Sequence, residues 1–264
     1  MGGFFNPDNA FFRTMSKIWD MIVVSIIWTV LCIPMYFAIT MVTSEMTSLV
    51  QFLLYAVIAA VCMIPAGPAM ASIYYVNVKV IRRERGYAIR EFFHAFKMNF
   101  KQGALLGAIL GMIVTLLSFD YQYAYKLVEA EETMGTVILI GSLSITLILI
   151  GILMVIFPVL SRFSMTTKQL VKTSMYIAFR HLLTTLILLV IVVATAIGLY
   201  LILPAVLLLP SLCALVCSFP MERVLKKYMP KPENTVAADG DHISEGSVVA
   251  ENEEGEKEDL WYLE

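Results

Sequence analysis

The side chains able to do chemistry are few, and their spacing does not suit it. Cys32, Cys62, Cys213 and Cys217 all fall inside apolar runs. They form no Cys-x-x-Cys pair, and no neighbouring histidine pair completes a metal site. Cys213 and Cys217 share a helix face at i, i+4, where thiols in an apolar span behave as small hydrophobes. His94 and His181 stand in basic segments rather than beside a Ser or Cys nucleophile. The chain contains no Gly-rich phosphate loop, nucleophile elbow or His-Glu-x-x-His pattern. The expectation is a protein that is not an enzyme, with no catalytic residues, cofactor or metal. Buried charges that would mark an ion or proton path are missing from the centres of the apolar runs, and Asp20 lies at the first turn of the first run. The polar groups inside the runs are mostly hydroxyls: Ser25, Thr29, Thr115, Ser118, Ser142, Ser144, Thr146, Thr184 and Thr185. Hydrogen bonding between helices accounts for them better than a substrate path does.

The charged residues that remain are concentrated in Lys79–Lys101, KVIRRERGYAIREFFHAFKMNFK, with seven Lys/Arg against Glu84 and Glu91. Phe92, Phe96 and Phe100 recur there at i, i+4 and i+8. Such a stripe must be buried in the bilayer interface, against neighbouring spans, or on a partner. Each base near an anionic leaflet contributes about 1 kcal/mol of attraction, so lipid alone can account for them. The sharper expectation is that Arg82, Arg83 and Arg85, with the edge of the Phe92, Phe96 and Phe100 helix, form a docking surface for a membrane transport complex.

The elements that must position these residues follow from composition. The chain has 264 residues, 59% hydrophobic, and a net charge of -2, with mean hydropathy +0.79. Soluble domains average about 45–50% apolar residues, so this excess requires a lipid solvent. Residues 231–264 carry two Lys and eleven Asp/Glu, whereas residues 1–230 carry seventeen Lys/Arg and ten Asp/Glu. This divides the chain into a membrane domain, 1–230, and an acidic tail, 231–264. The tail is too polar to bury a core and is expected to be disordered.

Within 1–230 six spans are expected, in an all-α polytopic architecture. Met1–Lys17, with Phe4-Phe5, Phe11-Phe12, Arg13 and Lys17, reads as an interfacial segment. Span one is Ile18–Ile39. Span two runs from Leu49 to the Pro65-Ala66-Gly67-Pro68 break, and Ala69–Val78 is either its bent continuation or a separate helix. Span three is Gly103–Phe119, where Gly103, Gly107 and Gly111 leave a groove for a neighbouring backbone. Asp120–Thr133 is the next loop, and Met134–Val159 is span four. Leu182–Phe219 is too long for one crossing, so a turn at Pro204 makes it spans five and six. From the N-terminus, Lys and Arg number two, none, seven, one, four and none in successive loops, before the Arg223-Lys226-Lys227 cluster. That alternation places both termini on the cytoplasmic side. A weak repeat accompanies it: an aromatic-basic segment precedes each odd-numbered span, and a proline closes each even-numbered one.

Four stretches carry a family resemblance. They are Phe4-Phe5-Asn6; Trp28 through Cys32-Ile33-Pro34; Gly67-Pro68-Ala69 leading to Tyr74-Tyr75; and Phe92 through Lys101. On these the chain resembles the YesL-like family of bacterial multi-span membrane proteins, a domain of unknown function. Ser25 stands where the family pattern has Asn, and the acidic tail lies outside the pattern. The resemblance implies a multi-pass protein of the bacterial cytoplasmic membrane, in an accessory or regulatory role beside ATP-driven carbohydrate uptake. It supplies no catalytic residue. The alternative is a small-molecule transporter or channel in its own right. The expected partners are the lipid bilayer and a membrane transport complex, with no nucleic acid. Substrate, partner identity and oligomeric state are not encoded legibly.

Overall fold

A computed structural model describes residues 10–83, 86–228, 249–251 and 257–259. Helices α1 (Ala10–Val42), α2 (Leu49–Cys62) and α3 (Ala66–Val76) are followed by a π-helical stretch, Asn77–Arg82. Next come α4 (Ala88–Met98), α5 (Phe100–Glu129), α6 (Thr133–Leu160), α7 (Thr167–Arg180) and α8 (Leu182–Leu201). A 3-10 turn at Leu203–Leu207 leads to α9, Leu209–Leu225. The chain divides into compact units Met1–Met221 and Glu222–Glu264. In the second, Val249–Glu251 pairs antiparallel with Lys257–Asp259. The rest of the tail, where disorder was expected, lies outside the described residues, as do Met1–Asn9 and Arg85.

The protein is an all-α polytopic membrane protein. Among the described residues five helical segments are long and apolar enough to cross a bilayer: Thr14–Val42, Leu49–Arg82, Phe100–Glu129, Thr133–Leu160 and Leu182–Leu201. The expected sixth span is shorter than the other five. The turn forms at Pro204, but the helix beyond it has only 17 residues and carries Glu222 and Arg223 near its end. At 1.5 Å per residue it reaches about 25 Å, the short end of the range that crosses the roughly 30 Å hydrocarbon core. The expected loop Asp120–Thr133 also shrinks. Helix α5 continues to Glu129, and the turn is confined to a few residues around Glu131, whose φ is 58°. Gln122 explains part of the extension. Its side chain donates to the carbonyls of Val42 and Ser44, and accepts from the Met46 amide at 2.9 Å. Those bonds need a rigid helix beneath them. At the N-terminus, Phe11 belongs to α1 itself, so the aromatic-basic segment there is no separate helix. Before α5 and α8 such helices do exist, as α4 and α7.

The question left open at Pro65 resolves into a broken helix. Pro65 has no N–H to continue the ladder of α2, and Met63–Pro65 turns before α3 begins. Every residue of α3 except Met70 is buried. Five of its 11 residues are small (Ala66, Gly67, Ala69, Ala71, Ser72), and α1, α4, α5 and α6 all pack around it. The packing is closest against α5. A Cβ built on Gly103 would lie 2.6 Å from the Pro68 nitrogen, and one on Gly107 would overlap the Met63 carbonyl oxygen. One on Gly111 would sit 2.5 Å from the carbonyl oxygen of Ala59. The three glycines therefore form the trough in which the α2–α3 break lies. Without a hydrophobic drive between helices in lipid, such backbone proximity is what favours association.

Two ends can be told apart. At one, Glu45 lies 3.9 Å from Lys126, and Gln122 ties α5 to the α1–α2 turn. At the other, the Gln102 amide donates to the Met165 carbonyl at 2.7 Å, linking the start of α5 to the α6–α7 turn. The basic segments around α4 and α7 share that second end.

Candidate functional site

Lys79 and Glu91 of the basic stretch meet where α3 runs into the π-helix and α4 folds back on it. A π-helical stretch carries one more residue per turn than the ladder needs, and it re-aims the side chains beyond it. Here the Arg83 amide bonds back to the Val78 carbonyl at 3.2 Å. Lys79 turns inward as a result. Its Nζ lies 2.9 Å from Glu91 Oε2 and donates to the Tyr75 hydroxyl at 3.2 Å, with the Tyr75 ring centroid 5.4 Å away. The side chains of Lys79 and Glu91 are 13% and 14% exposed, so this is an ion pair largely withdrawn from solvent. Gly86 makes it reachable. Its φ of 87° reverses the chain before α4, and a Cβ there would stand 2.9 Å from the same Glu91 carboxylate.

One turn away is a second buried polar group. Asn77 donates from Nδ2 to the Ile73 carbonyl at 2.8 Å, and its Oδ1 accepts the Ser211 hydroxyl at 3.0 Å. The Ser211 amide donates to Ser25 Oγ at 3.1 Å, and the Ser25 hydroxyl reaches the Leu208 carbonyl at 3.5 Å. Ser25, Asn77 and Ser211 are all fully buried. They tie the start of α9 to α1 and to the π-helix, with each donor satisfied, as a low-dielectric interior requires. Ser25, Thr146 and Thr185 are expected hydroxyls that bridge helices, Thr146 through the Tyr121 hydroxyl at 2.9 Å and Thr185 by donating to the Ala178 carbonyl of α7 at 3.1 Å. Thr115 and Ser144 instead bond within their own helices.

The docking candidates separate. Arg82 stacks over the Phe219 ring, 4.5 Å from its centroid, and donates to the Ser218 carbonyl at 3.3 Å. It is half-buried and engaged by the chain's own α9. Arg83 is half-buried and also engaged within the protein. Phe92 is 0% exposed, and with Ala88 and Ala95 it forms the face of α4 that packs inward. Phe96 is half-buried beside Phe100, with centroids 5.7 Å apart. Phe100 is 42% exposed and opens α5, so the expected single stripe is broken at Asn99. The outward face of α4 is a different set: Ile89, Arg90, Phe93, His94, Lys97 and Met98, all exposed. Among the described residues no cluster of three or more His, Cys, Asp or Glu is placed to hold a metal.

Reading the sequence missed the ion pair, the role of Asn77 and two buried charges, Arg162 and Glu222, which are 4% and 2% exposed. The only available signals were Asn77 and Lys79 sitting in an otherwise apolar run. Asn77 falls in the apolar stretch Ala69–Val78, and Lys79 opens the basic stretch that follows.

The fold and this junction define a helical membrane protein whose polar interior joins its own helices. Residues 21–121 match the family model described as "Protein of unknown function, DUF624". That segment runs from α1 to within nine residues of the end of α5, and so contains α3 and most of its wall. Neither the curated proteins nor the solved structures yield a match to the chain.

Proposed function

We propose that the protein is an accessory or regulatory component of carbohydrate uptake in the bacterial cytoplasmic membrane, with both termini cytoplasmic, docking to a transport complex through the outer face of α4. The YesL-like resemblance supports the carbohydrate link, and the Lys/Arg alternation supports the orientation. The observation that carries the docking is the division of α4 into two faces. Its inward face, with Phe92 fully buried, packs on α3, and the Lys79–Glu91 pair holds it to the π-helical stretch. Arg90, His94 and Lys97 remain exposed among Ile89, Phe93 and Met98. A preorganised helix of mixed apolar and basic character costs little ordering when it binds. Arg82, expected in this role, instead holds the π-helix to α9.

The test replaces Arg90 and Lys97 with Gln in the full chain. The variant should insert and melt like the wild type yet lose the membrane proteins that co-purify with it in mild detergent. Retention of every partner would leave α4 as an interfacial anchor. Sugar flux through vesicles containing this chain alone would favour the transporter reading instead.

A further inference from the structure

A cavity of about 250 Å³ lies among α1, α3, α6, α8 and α9. Its volume arises where small side chains face one another, Thr195 and Ala196 on α8 and Ala214 on α9, with Trp28, Phe157 and Leu188 as the larger walls. The lining is almost wholly carbon, apart from the weakly polar thiols of Cys213 and Cys217 and one hydroxyl. The Thr195 hydroxyl is committed to the Ile191 carbonyl of its own helix at 2.8 Å. A polar molecule would surrender its hydrogen bonds to water here without replacement, and apolar cavities of this kind stay dry. The walls therefore select hydrocarbon.

Depth and access identify its source. Trp28 is the fifteenth residue of the 29-residue span Thr14–Val42, close to the middle of the bilayer, where the membrane consists of acyl chains alone. Helix α8 is the least enclosed of the long helices, with 6% of its most apolar window buried, and Ala196 on the cavity rim is exposed. Lipid tails lie directly against that rim. We propose that the cavity binds one acyl chain of a bilayer phospholipid, admitted past Ala196. A cavity of about 150 Å³ holds benzene, so this one accommodates on the order of ten carbons, the end of a chain rather than all of it. Close packing against the walls, rather than release of water, favours the bound chain.

The experiment uses the full chain in vesicles of phosphatidylethanolamine and phosphatidylglycerol. A trace of phosphatidylcholine carries a diazirine near the methyl end of one acyl chain. After irradiation, adducts on Leu153, Phe157, Leu199 and Ala214 should exceed those on the outward α2 residues Val50, Leu54 and Val57 by several-fold. They should fall to that background in Ala214→Phe and in Ala196→Leu. Melting of each variant identifies the one that stays folded, and Ala196→Leu, at the exposed rim, keeps the test valid if Ala214→Phe does not fold. Uniform labelling of all lipid-facing helices, or cavity adducts that survive filling in a folded variant, would overturn the proposal.

Discussion

Gly67 and Gly103 meet backbone to backbone: a methyl group added to Gly67 would overlap the carbonyl oxygen of Gly103. Neither backbone can retreat without lifting the α2–α3 break out of the trough on α5. Gly67→Ala and Gly103→Ala should each cost about 1–3 kcal/mol or more, the range of overpacking in a filled interior. Gly141→Ala is the control, because a Cβ there meets nothing within 4 Å. Thermal melting in detergent checks the set, and equal midpoints for Gly67→Ala and Gly141→Ala would mean the close approach is absent.

The ion pair between Lys79 and Glu91 predicts that a second substitution rescues the first. Glu91→Gln removes the carboxylate that balances a largely buried ammonium, a change that costs roughly 3–5 kcal/mol in well-buried pairs. Lys79→Met combined with Glu91→Leu should recover most of that loss. A double variant no more stable than Glu91→Gln would show that the loss does not come from an uncompensated charge on Lys79.

Asn77 and Ser211 should be energetically coupled. In a double-mutant cycle with Asn77→Leu and Ser211→Ala, the interaction should fall at about 0.6–1.7 kcal/mol, the span measured for hydrogen bonds between membrane helices. Additive losses would reduce the contact to coincidence.

The two ends of the bundle predict a labelling pattern. Single cysteines at Glu45 and Glu131 should react from one face of the membrane, and one at Lys168 from the other. By the distribution of bases the first pair is external. Reaction of positions 45 and 168 from the same face would break the arrangement of α1 through α7.

The helical class, the turn at Pro204 and the glycine row were legible because each rests on a local pattern: long apolar runs, a proline, a four-residue spacing. What the sequence hid was non-local. The residues of α3 look like an ambiguous remnant after two prolines, and only the packing of four other helices makes them the centre. Lys79 reads as part of a basic loop until a π-helical turn carries it toward Glu91, twelve residues on. Arg82 is likewise one of seven similar bases until Phe219, far along the chain, is folded against it.

The burial of α3 also sets a timetable for synthesis. From Val76, where α3 ends, to Glu129, where α5 ends, the ribosome adds 53 residues. At about 5–20 residues per second that takes roughly 3–10 s. Through that interval a short helix containing Gly67 and Ser72, with Asn77 just beyond its end, waits without the α5 surface that will enclose it. The insertion machinery must therefore shelter the first hairpin until the third long helix arrives. A ribosome stalled between those points should leave a nascent chain far more open to protease than one stalled just beyond Glu129.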